Sequence, residues 1–493
     1  MRILRRLLPV VVIAAAALVL LYLPEIGPER YTDLATYFRV ERSRQAYTGY
    51  VVAAVASGAV LYVDGFGVDG TGRSLDEHSP VLLGSPSKTL TACAALTLAR
   101  DGRLDLDKPV TTYLPWFGFA GGAGAAVSLR DLIAESSGVS DSSFDDVHEA
   151  APDLESAVRS LTTAKQTDPA GSAFHYINTG YQAVGLVMEK VARDNFASIM
   201  KRRIFTPLGM NESSASPQVQ GPELSVGSGS FFGATLPRPL VLRPFGAPSG
   251  YMVTTANDLG SYLAFLVAPE KARRAPLSPR TVRMLFQRIE PNINFGYGWF
   301  LGSDKGLRSA FHDGSLDGFS SRILLWPDQK AGIAVVATQA SLLQSLIALP
   351  ALTDGARRIM LEGSAPRPFP LMRLYVLLAV VATVHLLMLA IQTGAALGWA
   401  KDVKGRSEAK GVPGPIRFAR FRALCGIPIR IAAALALPAA LSYAFARAVT
   451  WKVAFSLEPG LMSWFVSACF FGLLRNAARL AWLRGAPLPP GGK

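Results

Sequence analysis

Charge is scarce in this chain of 493 residues, of which only 17% are Asp, Glu, Lys or Arg, where an ordinary soluble domain carries about 25%. With half of all residues hydrophobic, that deficit points to a membrane protein. Cysteine is rarer still. Cys93, Cys425 and Cys469 stand too far apart for a zinc ribbon or a redox CxxC pair, which excludes a disulfide framework. Five histidines (His78, His148, His175, His312, His385) show neither HExxH nor paired spacing, so no metal site is expected. There is no G-x-x-x-x-G-K-[ST] cradle, and Gly121-Gly122-Ala123-Gly124 follows no strand-like run, so no nucleotide or other cofactor is expected. The absence of a G-x-S-x-G elbow argues against an α/β-hydrolase.

What charge there is lies unevenly. The balance is +14, from 50 basic and 36 acidic residues. Residues 7–23 form an uncharged apolar run behind Arg2, Arg5 and Arg6, close to the ~20 residues a helix needs to cross a bilayer. It reads as a signal anchor or a signal peptide (1–24). Pro24-Glu25-Ile26 in place of a small-residue cleavage site favours the anchor, while the run Ala14 to Ala17 keeps cleavage open. Three more apolar segments, 374–400, 431–446 and 453–474, lie in a C-terminal region spanning 366–493, and the last contains Glu458 and Pro459. Between the first two of these, residues 401–430 hold eight basic residues against Asp402 and Glu408; after the last come Arg475, Arg479, Arg484 and Lys493. Together with the N-terminal arginines these account for 13 of the 14 net positive charges. Because short basic loops stay in the cytoplasm, both termini and 401–430 are placed inside and residues 25–373 outside. The expectation is a multi-pass protein of the cytoplasmic (inner) membrane with the lipid bilayer as partner; a nucleic-acid partner is not expected.

Residues 25–365 alternate like a globular domain. Segments 51–56 and 59–63, joined by Ser57-Gly58, predict a β-hairpin; 320–326 and 333–338, joined through Pro327-Asp328, predict another. Helices are expected over 89–100, 181–192 and 258–267. Strands at both ends with helices between predict an α+β domain with an antiparallel sheet whose first and last strands pair. The Gly/Pro/Ser-rich stretch 214–250 reads as loop.

A Ser-x-x-Lys tetrad occurs three times, at Ser85/Lys88, Ser198/Lys201 and Ser407/Lys410. Only Ser85 follows an apolar strand-like run, Val81-Leu82-Leu83-Gly84, that leads into a helix. There Lys88 lies one turn on, on the same face, and the helix N-terminus favours negative charge near the serine. Such a serine can lose its proton to a lysine kept neutral by desolvation.

Gly84-Ser85-Pro86-Ser87-Lys88-Thr89-Leu90, with Gly102-Arg103-Leu104-Asp105-Leu106-Asp107 and Tyr113-Leu114-Pro115, resembles the class C β-lactamase and penicillin-binding-protein-like serine hydrolases of the S12 peptidase type. Leu132-Ile133 with Ser136-Ser137-Gly138-Val139 is similar to the family's LL-x-H-x-SG segment, with Glu135 where relatives carry histidine. Tyr176-Ile177-Asn178 resembles the second active-site element and is the only Y-x-N; His312-Asp313-Gly314, the only H-x-G, resembles the third. The likeness spans about residues 40–345.

The resemblance implies a β-lactamase/D,D-peptidase-like fold, an antiparallel sheet with flanking helices plus a helical region. It also implies a set of roles. Ser85 would be the acylated nucleophile, Lys88 its base, Tyr176 the proton relay to the leaving group and Asn178 a holder of the substrate amide. The oxyanion would lie between the backbone N–H groups of Ser85 and Ser315, on the strand with His312, Asp313 and Gly314. His312 stands where β-lactamases carry the lysine of Lys-Thr-Gly, and Asp313, facing the cleft, would repel a substrate carboxylate. The substrate is expected to be a small molecule or peptide bearing an acyl group. A catalytic domain followed by three helices resembles the peptidases that remove an N-acyl-D-asparagine cap from colibactin- and zwittermicin-type prodrugs. A cell-wall D,D-peptidase, a β-lactamase-like enzyme or an esterase are the alternatives within the enzyme class; a catalytically idle membrane sensor is the alternative outside it. Cys93 reads as packing, His385 as bonded to a neighbouring helix, and Glu458 as solvated.

Overall fold

The computed structural model describes residues 28–139, 151–216, 224–238, 241, 243–316, 318–410 and 458–484, with scattered positions in 12–19, 427–440 and at 454. The chain divides into two compact units: residues 26–230 with 234–372, and residues 373–493 with 1–25 and 231–233.

In the first unit the elements are α1 (Leu34–Arg44), β1 (Gly49–Ala56), β2 (Ala59–Gly67), β3 (Val81–Leu82), α2 (Ser87–Arg100), α3 (Asn178–Ala192), β4 (Ser228–Phe231), β5 (Ala234–Pro237), β6 (Val253–Thr254), α4 (Ala256–Val267), β7 (Phe300–Asp304), β8 (Leu307–Leu316), β9 (Phe319–Trp326), β10 (Ala331–Ala337) and α5 (Leu349–Glu362). Six strands form one antiparallel sheet in the order β2-β1-β10-β9-β8-β7. Both expected hairpins are present, and the expected pairing of first with last strands is β1 against β10, Val52 facing Val335. Ser57 (φ 52°) and Gly58 (φ 71°) turn the first hairpin, the doubly positive geometry that matches strand twist.

β1 is apolar along its whole length because both its faces are covered. Ala53, Val55, Ile323, Leu325, Ala334 and Val336 belong to the main core, which they share with α2, α3 and α4. Tyr50 points to the other face, where its hydroxyl donates to Phe38 O at 2.5 Å, and Tyr37 of α1 donates to Leu352 O of α5 at 3.2 Å. α2 is buried from Ser87 to Leu98; its Ala92-Cys93-Ala94-Ala95 run lets neighbours approach closely. Cys93 is indeed packing: burial pushes its thiol up to about 12.

One expectation about the elements of this unit fails. The 214–250 stretch is not all loop, since β4 and β5 pair within it. β4 is Ser-Gly-Ser-Phe, and its burial rests on hydrogen bonds, Ser228 Oγ donating to Thr338 O at 2.9 Å, so no apolar alternation betrays it.

The second unit contains α6 (Leu371–Lys410), all but its first two residues, and α7 (Pro459–Arg484). α6 runs ten residues past the expected end of the apolar segment, because helix propensity persists through Lys, Glu and Ala after hydropathy falls. α7 starts at Pro459, a residue suited to the first helical position, and takes in Arg475 and Arg479 rather than stopping before them. Among the described residues one helix, Leu371–Gly394, is long and apolar enough to cross a membrane. Most of segment 7–23 and of segment 431–446 lies outside the described residues. His385 takes the bonded reading: Trp464 Nε1 donates to its Nδ1 at 3.1 Å, the rings edge to face at 5.9 Å. Glu458 is not solvated but 1% exposed, directly before Pro459 at the start of α7.

Candidate active site

Ser85 stands between β3 and α2, one residue ahead of the helix N-cap, which is Pro86. The serine hydroxyl therefore does not cap the helix. It meets Tyr176 instead, Oη to Oγ 2.6 Å. Lys88, in the first turn of α2 and wholly buried, directs its Nζ to Tyr176 Oη at 2.7 Å, Asn178 Oδ1 at 2.6 Å and Ser249 O at 2.9 Å. Its Nζ also lies 4.5 Å from the Tyr176 ring centroid and 5.6 Å from that of Tyr181. Three acceptors match the three donors of an ammonium. The phenolic oxygen bridges amine and hydroxyl, so a proton can pass from Ser85 across one atom to Lys88 when the amine is neutral and turns its lone pair to Tyr176. Asn178 has its carbonyl oxygen committed to Lys88, which gives it a structural hold on the amine that its sequence position did not suggest.

β8 closes the other side. Gly84 (φ +70°) and Gly314 face each other: a Cβ on Gly84 would lie 3.3 Å from Gly314 Cα and 3.5 Å from Ser315 N, and a Cβ on Gly314 would lie 2.3 Å from Ser321 Oγ. Two glycines thus bring the Ser315 backbone nitrogen beside the Gly84-Ser85 peptide, where two N–H groups can converge on one oxygen.

His312 is buried on the core-facing side of β8, opposite Ile323. Its Nδ1 lies 2.6 Å from Gly298 O; a carbonyl only accepts, so Nδ1 carries the hydrogen. Nε2 is then a lone pair, and this buried atom has no partner. Burial, followed by the charge of Lys88, pushes the imidazole down to about 3, so it is neutral at ordinary pH. Phe295 and Phe300 wall the ring at 6.2 and 5.4 Å, and Tyr176 lies 6.5 Å away.

Asp313 does not join this group. Strand alternation turns it to the opposite face, where Arg322 holds its carboxylate at 3.0 and 2.9 Å and stands over the Phe311 ring. Its charge is neutralised there, and the expected repulsion of a substrate carboxylate by Asp313 is withdrawn. Ser85, Lys88, Tyr176, Asn178, His312, Gly314 and the Ser315 backbone are thus brought together. Ser249 and Gly298, which hold Lys88 and His312, were not legible: both act through backbone carbonyls in irregular segments. Of the other tetrads, Ser198–Lys201 is at the end of a five-residue helix that Asn195 caps, and Ser407–Lys410 belongs to α6.

The β-lactamase family model matches residues 34–355. The chain belongs to the β-lactamase family. Protein flp of Staphylococcus aureus (strain MRSA252) is 29% identical over 300 residues, 59% of this chain and 59% of flp. This chain therefore matches about three fifths of the length of that curated relative. Penicillin-binding protein 4 of Amycolatopsis lactamdurans is 27% identical over 317 residues, 60% of this chain and 81% of that protein. Among solved structures, the octameric penicillin-binding protein homologue from Pyrococcus abyssi has a TM-score of 0.56 at 22% identity, covering 67% of this chain and 77% of the other. A D-stereospecific amidohydrolase from Streptomyces sp. has a TM-score of 0.52 at 22% identity, covering 62% and 94%. In β-lactamase family terms, the first unit is a serine hydrolase fold of the penicillin-binding-protein type.

Proposed function

We propose that the protein is a membrane-tethered serine hydrolase that cleaves amide bonds through an acyl-enzyme, and that it removes an N-acyl-D-amino-acid cap, D-asparagine being the first choice. The observation that carries the reaction type is the Tyr176 oxygen set between Lys88 Nζ and Ser85 Oγ, at 2.7 and 2.6 Å. With Lys88 in its neutral form, Ser85 attacks the carbonyl, forming the Oγ–C bond, and its proton passes through Tyr176 to the lone pair of Lys88. The backbone N–H groups of Ser85 and Ser315 hold the oxyanion, and Tyr176 returns the proton to the leaving nitrogen.

Substrate preference follows from His312. A neutral ring presenting a lone pair accepts hydrogen bonds and offers a carboxylate no cation. Neutral amides that continue past the scissile bond with an N–H are therefore favoured over substrates ending in a carboxylate. An N-acyl-D-asparaginyl amide is expected to be cleaved at least about tenfold faster than the penicillin nucleus or acyl-D-Ala-D-Ala, a difference of ~1.4 kcal/mol in transition-state binding. The pKa near 3 means that the imidazole stays neutral above that value, so the ratio holds from pH 5 to 8. Side-by-side kcat/KM across that range tests this; higher efficiency on the carboxylate-bearing compounds overturns the assignment.

Membrane tethering rests on Leu371–Gly394 and on the basic residues that follow it. With 401–430 inside, the hydrolase unit lies outside. Fusion reporters at Gly246 and Gly411 are expected to give opposite signals, and like signals from both would sink this topology.

A further inference from the structure

Tyr176 belongs to no helix or strand. It precedes Ile177, the N-cap of α3, and an isoleucine side chain has no acceptor; no side-chain cap bond exists at this helix start. The grip comes from elsewhere. Glu135 Oε2 accepts the Ile177 N–H at 2.7 Å, and Glu135 O accepts the His175 N–H at 2.6 Å. The amides on either side of Tyr176 therefore both end on one residue. Glu135 is wholly buried and has φ +54°, a left-handed conformation uncommon outside glycine. The chain beyond it is tied in register with the same loop: Gly171 N–H donates to Ser136 O at 2.8 Å, Gln166 Nε2 to Ser137 O at 2.9 Å, and Thr167 N–H to Gly138 O at 2.8 Å.

Within a single helix, a capping-box glutamate at the third position reaches back to the N-cap N–H. Here that half of the box is supplied by a different element, and a carboxylate beside a helix N-terminus also meets its positive end. We propose that Glu135 is the positioning residue for Tyr176, a capping carboxylate acting from outside the helix that fixes the phenolic oxygen within reach of both Ser85 and Lys88. This rests on the serine hydrolase reading above. The carboxylate is not asked to touch substrate. It sets the backbone on both sides of Tyr176, and a misplacement of about 1 Å at a reacting group can cost about 10²-fold in rate.

The test compares full-length wild type, E135A, E135Q and E135D in detergent, with three readouts: the rate at which a fluorophosphonate labels Ser85, kcat and KM on the same amide normalised to labelled sites, and the melting temperature. E135A is expected to lose about 30- to 100-fold in labelling rate and in kcat with KM nearly unchanged. E135Q, whose amide oxygen can accept the same N–H, is expected to recover most of that loss. Should E135A fail to fold, E135D keeps the charge but withdraws it by one methylene, and is expected to show the same slowing per labelled site. A purely structural role would lower the melting temperature and the fraction of labelled sites while leaving the rate per site alone; that result, or an E135Q as slow as E135A, overturns the proposal. A wild type that is not labelled at all overturns the serine hydrolase reading, a distinct outcome.

Discussion

Ser85→Ala is expected to reduce turnover by at least about 10⁴-fold, as removal of a nucleophile does, while the protein melts within a few degrees of wild type. The stability forecast follows from the cap. Pro86, not Ser85, is the N-cap of α2, and it makes no side-chain cap bond, so even the ~1 kcal/mol of an ordinary serine cap is not at risk. What disappears is the Oγ held 2.6 Å from Tyr176. Ser198→Ala and Ser407→Ala serve as controls and are expected to keep full activity. Measured kcat/KM and melting curves on the three variants check this, and an inactive Ser198→Ala beside an active Ser85→Ala would refute the assignment.

Tyr176→Phe removes a single oxygen and leaves the ring. Lys88 keeps two acceptors, Asn178 Oδ1 and Ser249 O, so the buried amine stays in place, but the atom between amine and serine is gone. A positioned proton relay contributes about 10²- to 10⁴-fold, and kcat/KM is expected to fall within that range. Labelling of Ser85 slows but persists, because the nucleophile is still present. Retention of more than a tenth of wild-type efficiency would show that Lys88 serves Ser85 without Tyr176.

The hairpins and the helix after Ser85 were legible because their signals are local: period-two runs, paired turn residues, and a Ser-x-x-Lys at the head of an apolar helix. Three ordered motifs carried the site. What stayed hidden depends on register and on backbone. His312 and Asp313 are neighbours in sequence, yet one joins the catalytic group and the other is paired with Arg322 on the far face of the sheet. Glu135 marks only a departure from a motif until its carboxylate is seen on the Ile177 amide. Ser249 contributes a carbonyl oxygen, which every residue possesses. The 214–250 hairpin escaped notice because Ser-Gly-Ser carries no apolar period.

The pairing of β1 with β10 has a kinetic consequence. Val52 meets Val335 across the middle of the sheet, so the central seam joins stretches of chain that leave the ribosome far apart in time. Until the later strand emerges, β1 exposes an apolar edge with no neighbour on that side, and the loop to be closed holds the entire helical region. Contacts of such long sequence separation make folding slow and intermediates adhesive.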